Sequence, residues 1–249
     1  MRKLYTATIL LWAVSSVSQS IEEPSAIETD RPDQTETPSI VPKGMFQMET
    51  GIYYEQTDHQ TETFLLPTAL LKYGISKRFE VRLITEYQRL QQTQTVTGLS
   101  PILVGFKANL SEEKGIMPKT SLIAHILLPD AASKEFQEKY YSPEFRFSMQ
   151  HTVSEKISIG YNLGGEWDGT TGMPTYIYTF TTGFGVSEKI NTFIEVFGFA
   201  PQSETANHSF DGGLTYLISN DMMIDISGGV GLTENAPDYF ISAGFSFRI

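Results

Sequence analysis

The sequence predicts an all-β protein, a 12-stranded antiparallel up-and-down transmembrane β-barrel with an irregular N-terminal arm. Three observations support this fold class. Apolar and polar residues alternate from about residue 44 to the C-terminus, most alternating stretches contain ten or more residues, and short turns recur along the chain. Strands of soluble sandwiches are usually about five or six residues long, whereas a strand that crosses a membrane needs about 9–11. Strand length therefore favours a membrane barrel.

Composition excludes several classes of protein. The 249 residues include 18 Lys and Arg against 29 Asp and Glu, a net charge of −11, and no cysteine. Without cysteine there is no disulfide scaffold, zinc–cysteine site or cysteine nucleophile. The 2 Trp, 12 Tyr and 16 Phe are too many for a disordered chain. An acidic chain repels phosphate, so we expect no nucleic acid as a partner.

The first 20 residues have the pattern of a secretory signal peptide. Arg2 and Lys3 precede the apolar residues 4–14, and small residues up to Ser20 follow. The apolar segment is too short to span a bilayer as a helix. We expect residues 1–20 to be cleaved during export, with the mature chain in the outer membrane of a Gram-negative bacterium.

Residues 21–43 form a separate acidic zone rich in proline. Pro24, Pro32, Pro38 and Pro42 prevent a helix or a central strand, so we predict an irregular arm. The arm could lie in the periplasm or plug the lumen, and the sequence leaves both possibilities open. The candidates for a plug or gate are Asp30, Arg31, Pro32 and Asp33.

The barrel domain is predicted over residues 44–249. Its strands are expected at about 45–56, 62–75, 78–91, 97–110, 119–128, 141–152, 156–168, 174–186, 189–200, 207–218, 222–233 and 238–249. One face of each stretch is apolar and is expected to carry no charge. Charge on a lipid-facing surface costs about 2–4 kcal/mol at the midplane, whereas the outer face of a soluble sandwich welcomes it.

The opposite face is dominated by small polar residues and carries scattered charges of both signs. The predicted lumen-lining residues are Glu49, Lys72, Glu80, Arg82, Glu86, Lys107, Arg146, Glu166, Glu195, Asp211, Asp225 and Arg248. Inward apolar residues such as Leu66, Leu70, Ile84 and Phe240 would suit small amphipathic or aromatic solutes. Two interpretations stay open, a path for solutes and a salt-bridged network that fills a closed barrel.

Turns and loops are predicted to differ between the two ends of the barrel. Short turns recur at Ser76, Ser111, Ser154, Ser187 and Ser219. Twelve strands with both chain ends on one side need five connections there and six on the other. Short turns on one rim and longer loops on the other are typical of outer-membrane barrels.

Several segments resemble one protein family. They are residues 29–34 (TDRPDQ), 41–44 (VPKG), 70–75 (LLKYGI), 210–216 (FDGGLTY) and 236–248. Together they are similar to the meta-pathway phenol-degradation family of outer-membrane β-barrel proteins, over about residues 28–249. The resemblance implies a transporter linked by its name to aromatic or hydrophobic compounds. It carries over no functional residue.

We therefore predict passive passage of small, aromatic or hydrophobic solutes, with no catalytic residue, metal or cofactor. The expected partners are the lipid bilayer, an unidentified solute and the barrel-assembly machinery, which would read the last strand near Phe247 and Ile249. A closed structural or adhesive barrel whose loops bind a partner is the alternative. A barrel enzyme is the third hypothesis, and outward His151 has no serine beside it for such a site.

Overall fold

The computed structural model describes residues 25–249, and it confirms the closed antiparallel barrel. The strands form one continuous sheet, which is closed by pairing of the last strand with the first. The strands are β1 (Phe46–Asp58), β2 (Thr61–Ser76), β3 (Phe79–Gln91), β4 (Thr95–Leu99), β5 (Ile102–Ser111), β6 (Lys119–Leu128), β7 (Ser142–Ser154), β8 (Ile157–Trp167), β9 (Pro174–Gly185), β10 (Ile190–Pro201), β11 (Asn207–Ser219), β12 (Met222–Gly231) and β13 (Tyr239–Arg248). The predicted signal peptide and residues 21–24 lie outside the described residues.

Strands β4 and β5 are the two halves of one barrel strand, which gives the twelve-stranded wall that was predicted. Strand β4 pairs with the C-terminal half of β3, and β5 pairs with its N-terminal half. The break falls at Ser100 and Pro101, because proline has no N–H to donate to the ladder. A short 3-10 turn, Lys134–Phe136, lies over the break, where Leu99 N donates to Ser133 Oγ at 2.8 Å.

The outer face of the barrel is apolar and exposed. Leu163, Ile226 and Val230 are 48–58% exposed. A continuous apolar surface of this kind is expected on a protein whose outer face contacts the hydrocarbon of a membrane. Two charged residues depart from the predicted uncharged face. Glu62 and Arg89 flank Tyr54 and Phe64 on the outside of β2 and β3. They lie near the long-loop ends of these strands, Glu62 beyond Phe64 and Arg89 beyond Tyr87, where charge is tolerated.

Aromatic side chains mark both ends of the apolar face. Tyr73 and Tyr216 are exposed near the short-turn end, and Tyr87, Tyr176 and Tyr239 are exposed near the long-loop end. Amphipathic rings are favoured at the two interfaces of a bilayer. Among residues 25–249 no α-helix could serve as a membrane span.

A bulge at Pro67 makes one inward assignment wrong. The pairing of β2 jumps from Leu65 to Thr68 while each neighbouring strand advances by two residues, so β2 accommodates one extra residue there. In the part of β2 that precedes the bulge, the side chains at odd-numbered positions face inward, whereas those at even-numbered positions do so after it. Leu66, predicted to face the lumen, is 48% exposed on the outside, and Leu65 lines the interior instead.

The two ends of the wall differ as predicted. Five connections and both ends of the barrel domain lie at one end, where Phe46 N donates to the Ile249 carbonyl at 2.8 Å. The other end carries six connections, of which residues 129–141 form the longest. These are called the short-turn end and the long-loop end below.

Candidate functional site

The N-terminal arm, residues 25–43, lies inside the barrel. At the short-turn end, Ile27 N donates to the Asn220 carbonyl at 2.7 Å. The arm reaches a tip at residues 31–34 and returns to the same end, where Lys43 forms a bridge with Gly74. Inward side chains from strands around the wall contact it, and this combination of arm and wall is the candidate site.

Asp30 carries the densest set of ion pairs in the arm. Its carboxylate lies 2.9 Å from Lys72 Nζ, 2.8 Å from Arg82 Nη1 and 2.7 Å from Lys107 Nζ. Its backbone N–H donates to Glu49 Oε2 at 2.9 Å. Burial opposes ionisation of the carboxyl, but the three cations outweigh it and hold the pKa of Asp30 well below its usual range. Asp30 therefore fastens the arm to β2, β3 and β5.

Arg31 occupies a notch in the wall formed by two paired glycines. Gly51 and Gly244 face each other across β1 and β13, and a Cβ on Gly244 would lie 2.4 Å from Arg31 Nε. The guanidinium donates to Asp225 Oδ1 at 3.0 Å and to Ser242 Oγ at 2.7 Å. Because glycine has no side chain, the wall leaves room for the arginine at this point.

The descending part of the arm contacts strands on both sides of the lumen. Glu36 N donates to Asn162 Oδ1 at 2.8 Å, and the Glu36 carboxylate accepts from Arg82 Nη2 at 2.6 Å. Thr35 Oγ1 donates to Glu195. These bonds satisfy buried polar groups on both partners, which would otherwise be costly. The arm is thus anchored on opposite sides of the lumen.

Asp33 has surroundings unlike those of Asp30. Glu195 and Asp211 are paired across β10 and β11, and their negative charges act on Asp33. Asp211 is 1% exposed, and within residues 25–249 neither of its carboxylate oxygens has a hydrogen-bond partner. Burial raises the pKa of the Asp33 carboxyl well above its usual range, and the charges of Glu195 and Asp211 add to the rise.

All twelve predicted lumen residues face the interior, and most of them contact the arm. Those with a polar contact to it are Glu49, Lys72, Glu80, Arg82, Lys107, Arg146, Glu195, Asp225 and Arg248. Glu86 and Glu166 border open cavities instead. The role of these residues in a solute path stays a prediction.

Sequence reasoning missed the neutral polar residues that hold the arm. Ser121 Oγ donates to the Pro38 carbonyl at 2.6 Å, and Asn162 Nδ2 donates to the Glu36 carbonyl at 3.1 Å. Ser121 and Asn162 are fully buried. Their inward position in the period-2 pattern was the available signal, although it does not distinguish contact with a plug from contact with water.

Cavities remain on both sides of the arm tip. The upper cavity, toward the long-loop end, has a volume of about 350 Å³ and is bordered by Leu70, Glu86 and Phe240. The lower cavity, toward the short-turn end, has a volume of about 130 Å³ and is bordered by Ser158. Asp33 borders both cavities. In the part of the chain that the structure describes, no cluster of three acidic or histidine ligands suits a metal ion.

Solved structures share this architecture. An outer membrane channel from Pseudomonas putida F1 superposes with a TM-score of 0.68 at 10% identity, over 88% of this chain and 99% of that one. The NanC porin gives 0.54 at 8% identity, over 82% and 100%. The translocator domain of the autotransporter NalP from Neisseria meningitidis gives 0.51 at 7% identity, over 82% and 87%. At these identities the likeness establishes the fold alone.

Sequence comparison identifies the family. No curated protein sequence matches the chain. The family described as "Putative MetA-pathway of phenol degradation" matches residues 29–249, which includes most of the arm and the whole barrel. The chain therefore belongs to this family of phenol-degradation-associated proteins, as its sequence segments had suggested.

Proposed function

We propose that the protein is an outer-membrane channel for passive passage of small solutes, aromatic or hydrophobic ones among them. The observation that carries the proposal is a lumen with open cavities above and below one constriction, inside a wall whose outer face suits hydrocarbon. Family membership and the fold shared with an outer membrane channel support it. Nothing in this mechanism requires energy input, since the solute follows its own gradient.

The arm is the gate in this proposal. Asp33 borders both cavities, so a solute that moves between them passes the arm tip. Three cations of the wall contact Asp30 on one side. On the other side Glu195 accepts from Gln34 N, and Asp211 is its partner on the adjacent strand. We expect the tip to yield first on the carboxylate side, because no ion pair holds Asp33 there within the described chain.

The proposed orientation follows from the two ends of the barrel. In outer-membrane barrels the short turns face the periplasm, which would place the start of the arm there. A cleaved signal peptide over residues 1–20 would deliver the chain, and the barrel-assembly machinery would read β13. The pattern of turns supports the proposed orientation, and the sequence of residues 1–20 supports export. The alternation that ends at Ile249 supports the proposed contact with the assembly machinery.

Conductance and solute flux test the proposal. The full mature chain is reconstituted beside a variant that lacks residues 21–43, and single-channel conductance in KCl is measured. Liposome swelling in phenyl glucoside, an uncharged aromatic solute that crosses lipid poorly, is the second measurement. We expect small conductance for the full chain and a clearly larger one for the variant. Heat-modifiable migration on a denaturing gel verifies that both barrels are folded.

A closed structural or adhesive barrel is the second candidate. The observation in its favour is the number of ion pairs that hold the arm inside the lumen. If both folded proteins give neither conductance nor swelling, the channel proposal fails and the closed barrel is favoured. Deletion of residues 130–140 in the longest loop would then alter partner binding without changing permeability.

A further inference from the structure

We propose that the upper cavity is a binding site for a small aromatic solute that is uncharged or positively charged, and that it rejects aromatic carboxylates. The inference rests on the proposed channel function and specifies the class of solute. Aromatic rings, aliphatic side chains and charges that border the cavity support it.

An aromatic wall borders the cavity on the side of β1, β10 and β13. Tyr53 and Phe240 lie with ring centroids 5.8 Å apart at an interplanar angle of 28°, and Phe197 meets Phe240 at 6.0 Å and 60°. A second lobe of about 280 Å³ adjoins the upper cavity, with which it shares Gln34, Tyr53 and Phe240. Offset or tilted rings 4.5–7 Å apart attract, so a solute ring can extend this cluster.

An aliphatic wall faces the same space from β2 and β3. Leu65, Leu70 and Ile84 border the cavity. Leu65 is present only because the bulge at Pro67 turns it inward in place of Leu66. The volume of about 350 Å³ lies in the range of small-molecule pockets, which are mostly apolar with a few polar groups. The rings and the aliphatic side chains together make this part of the upper cavity, called the slot below, an apolar surface that favours a solute with a ring.

Charges around the slot are predominantly negative. Glu86 borders the upper cavity, and Glu55 borders the second lobe, where it accepts from Tyr53 Oη at 2.6 Å. Glu49 also borders the upper cavity, but its charge is paired with Lys72. Arg31 is the cation at the slot, and its guanidinium is already bonded to Asp225. Within the described chain Glu86 forms no ion pair. A solute carboxylate would therefore meet like charge, whereas an ammonium group would meet carboxylates and ring faces.

Three probes of similar size test the inference. Benzyl alcohol, benzylamine and benzoate at pH 7 are neutral, cationic and anionic, and their binding to the detergent-solubilised full chain is measured by calorimetry. We expect the neutral and cationic probes to bind at least about tenfold more tightly than benzoate, because like charges in an enclosed site are costly. Equal binding of all three, tighter benzoate binding, or no binding at all would overturn the proposal.

Two phenylalanine variants on β13 provide a matched comparison. Phe240→Ala removes a ring at the slot, whereas Phe245→Ala removes one on the lipid-facing side of the same strand. We expect about a tenfold loss of benzylamine affinity for Phe240→Ala and none for Phe245→Ala. Because both variants are measured in the same detergent, partitioning of the probe into detergent affects them equally and does not contribute to the difference. Loss of affinity in both variants, or in neither, contradicts the assignment.

A charge variant separates this inference from channel function. Glu86→Gln removes a carboxylate that has no ion-pair partner in the described chain, so the barrel is expected to fold normally. Benzoate affinity should rise relative to benzylamine, and an unchanged ratio would contradict the charge argument. If swelling and conductance occur while the probes bind without regard to charge, the inference fails and the channel stands. If charge-selective binding occurs without conductance, the channel fails and the binding site stands.

Discussion

Asp30 and Asp33 lie three residues apart in the same buried arm but meet opposite surroundings. Asp30 contacts Lys72, Arg82 and Lys107, whereas Asp33 is subject to the charges of Glu195 and Asp211. The pKa of Asp30 is held well below its usual range by the cations, despite burial. Burial and the two carboxylates raise that of Asp33 well above it. One side of the tip is therefore fastened by ion pairs. The other side is held by the hydrogen bonds of Gln34 and Thr35 to Glu195, and Asp33 adds no ion pair there within the described chain.

A plug with two such sides can be both stable and movable. A buried carboxylate among three cations resists removal, because separation leaves all four charges unpaired in a low dielectric. A protonated carboxyl beside two acids can leave at little electrostatic cost. The contrast predicts that the tip pivots about Asp30 and releases at Asp33.

The largest expected effect is that of removing the Asp30 charge. Asp30→Asn leaves Lys72, Arg82 and Lys107 short of a counter-ion, and breaking a buried pair in this way costs about 3–5 kcal/mol. We expect a lower free energy of unfolding in urea and a higher single-channel conductance. The matched control is Asp33→Asn, which should not destabilise the arm. Equal effects of the two variants would refute the comparison.

A smaller effect is expected at the glycine notch on the fastened side. In Gly244→Ala the new Cβ would lie 2.4 Å from Arg31 Nε and 2.6 Å from Asp225 Oδ2, so the guanidinium must shift. Overpacking of this kind typically costs about 1–3 kcal/mol. Proteolysis of the arm should become faster and conductance should rise. Gly165→Ala, where the nearest atom is 3.4 Å away, is the control and should behave like the parent protein.

The smallest effect is expected from pH, and it has opposite signs for the two acids. Asp33 binds its proton more tightly in the docked arm, so docking is favoured at low pH and weakens as pH rises through its raised pKa. Asp30 favours docking above its ordinary pKa and loses that contribution only as pH falls through its lowered value. Conductance should therefore increase with pH, and Asp33→Asn should remove most of that increase. A fall in conductance with rising pH would contradict the sign.

Sequence reasoning succeeded where a local pattern determines the structure. Period-2 alternation located the strands to within a few residues, because each residue in a strand faces either lipid or lumen. It failed where that rule is interrupted. Pro67 reverses the facing of Leu66, and Pro101 divides one predicted strand into two. Both prolines can be read in the sequence. Because apolar and polar residues alternate on either side of each proline, the pattern alone does not show the bulge or the break.

The arm illustrates a different kind of failure. Its proline content correctly excludes regular structure, but its position depends on partners that are distant in sequence. Asp30 meets Lys107, and Arg31 meets Asp225, which is 194 residues away. No local pattern encodes such a pairing. The same inward charges predict a wet lumen equally well, so the sequence identified the residues without identifying what they bind.

The partners of the arm also determine when it can settle. Side chains from β1, β2, β3, β5, β6, β7, β8, β9, β10, β12 and β13 contact it. The complete set of these contacts exists only in a barrel whose final strand has joined the first. An arm that makes all of them therefore requires a closed wall, and an unclosed wall can offer it only part of them.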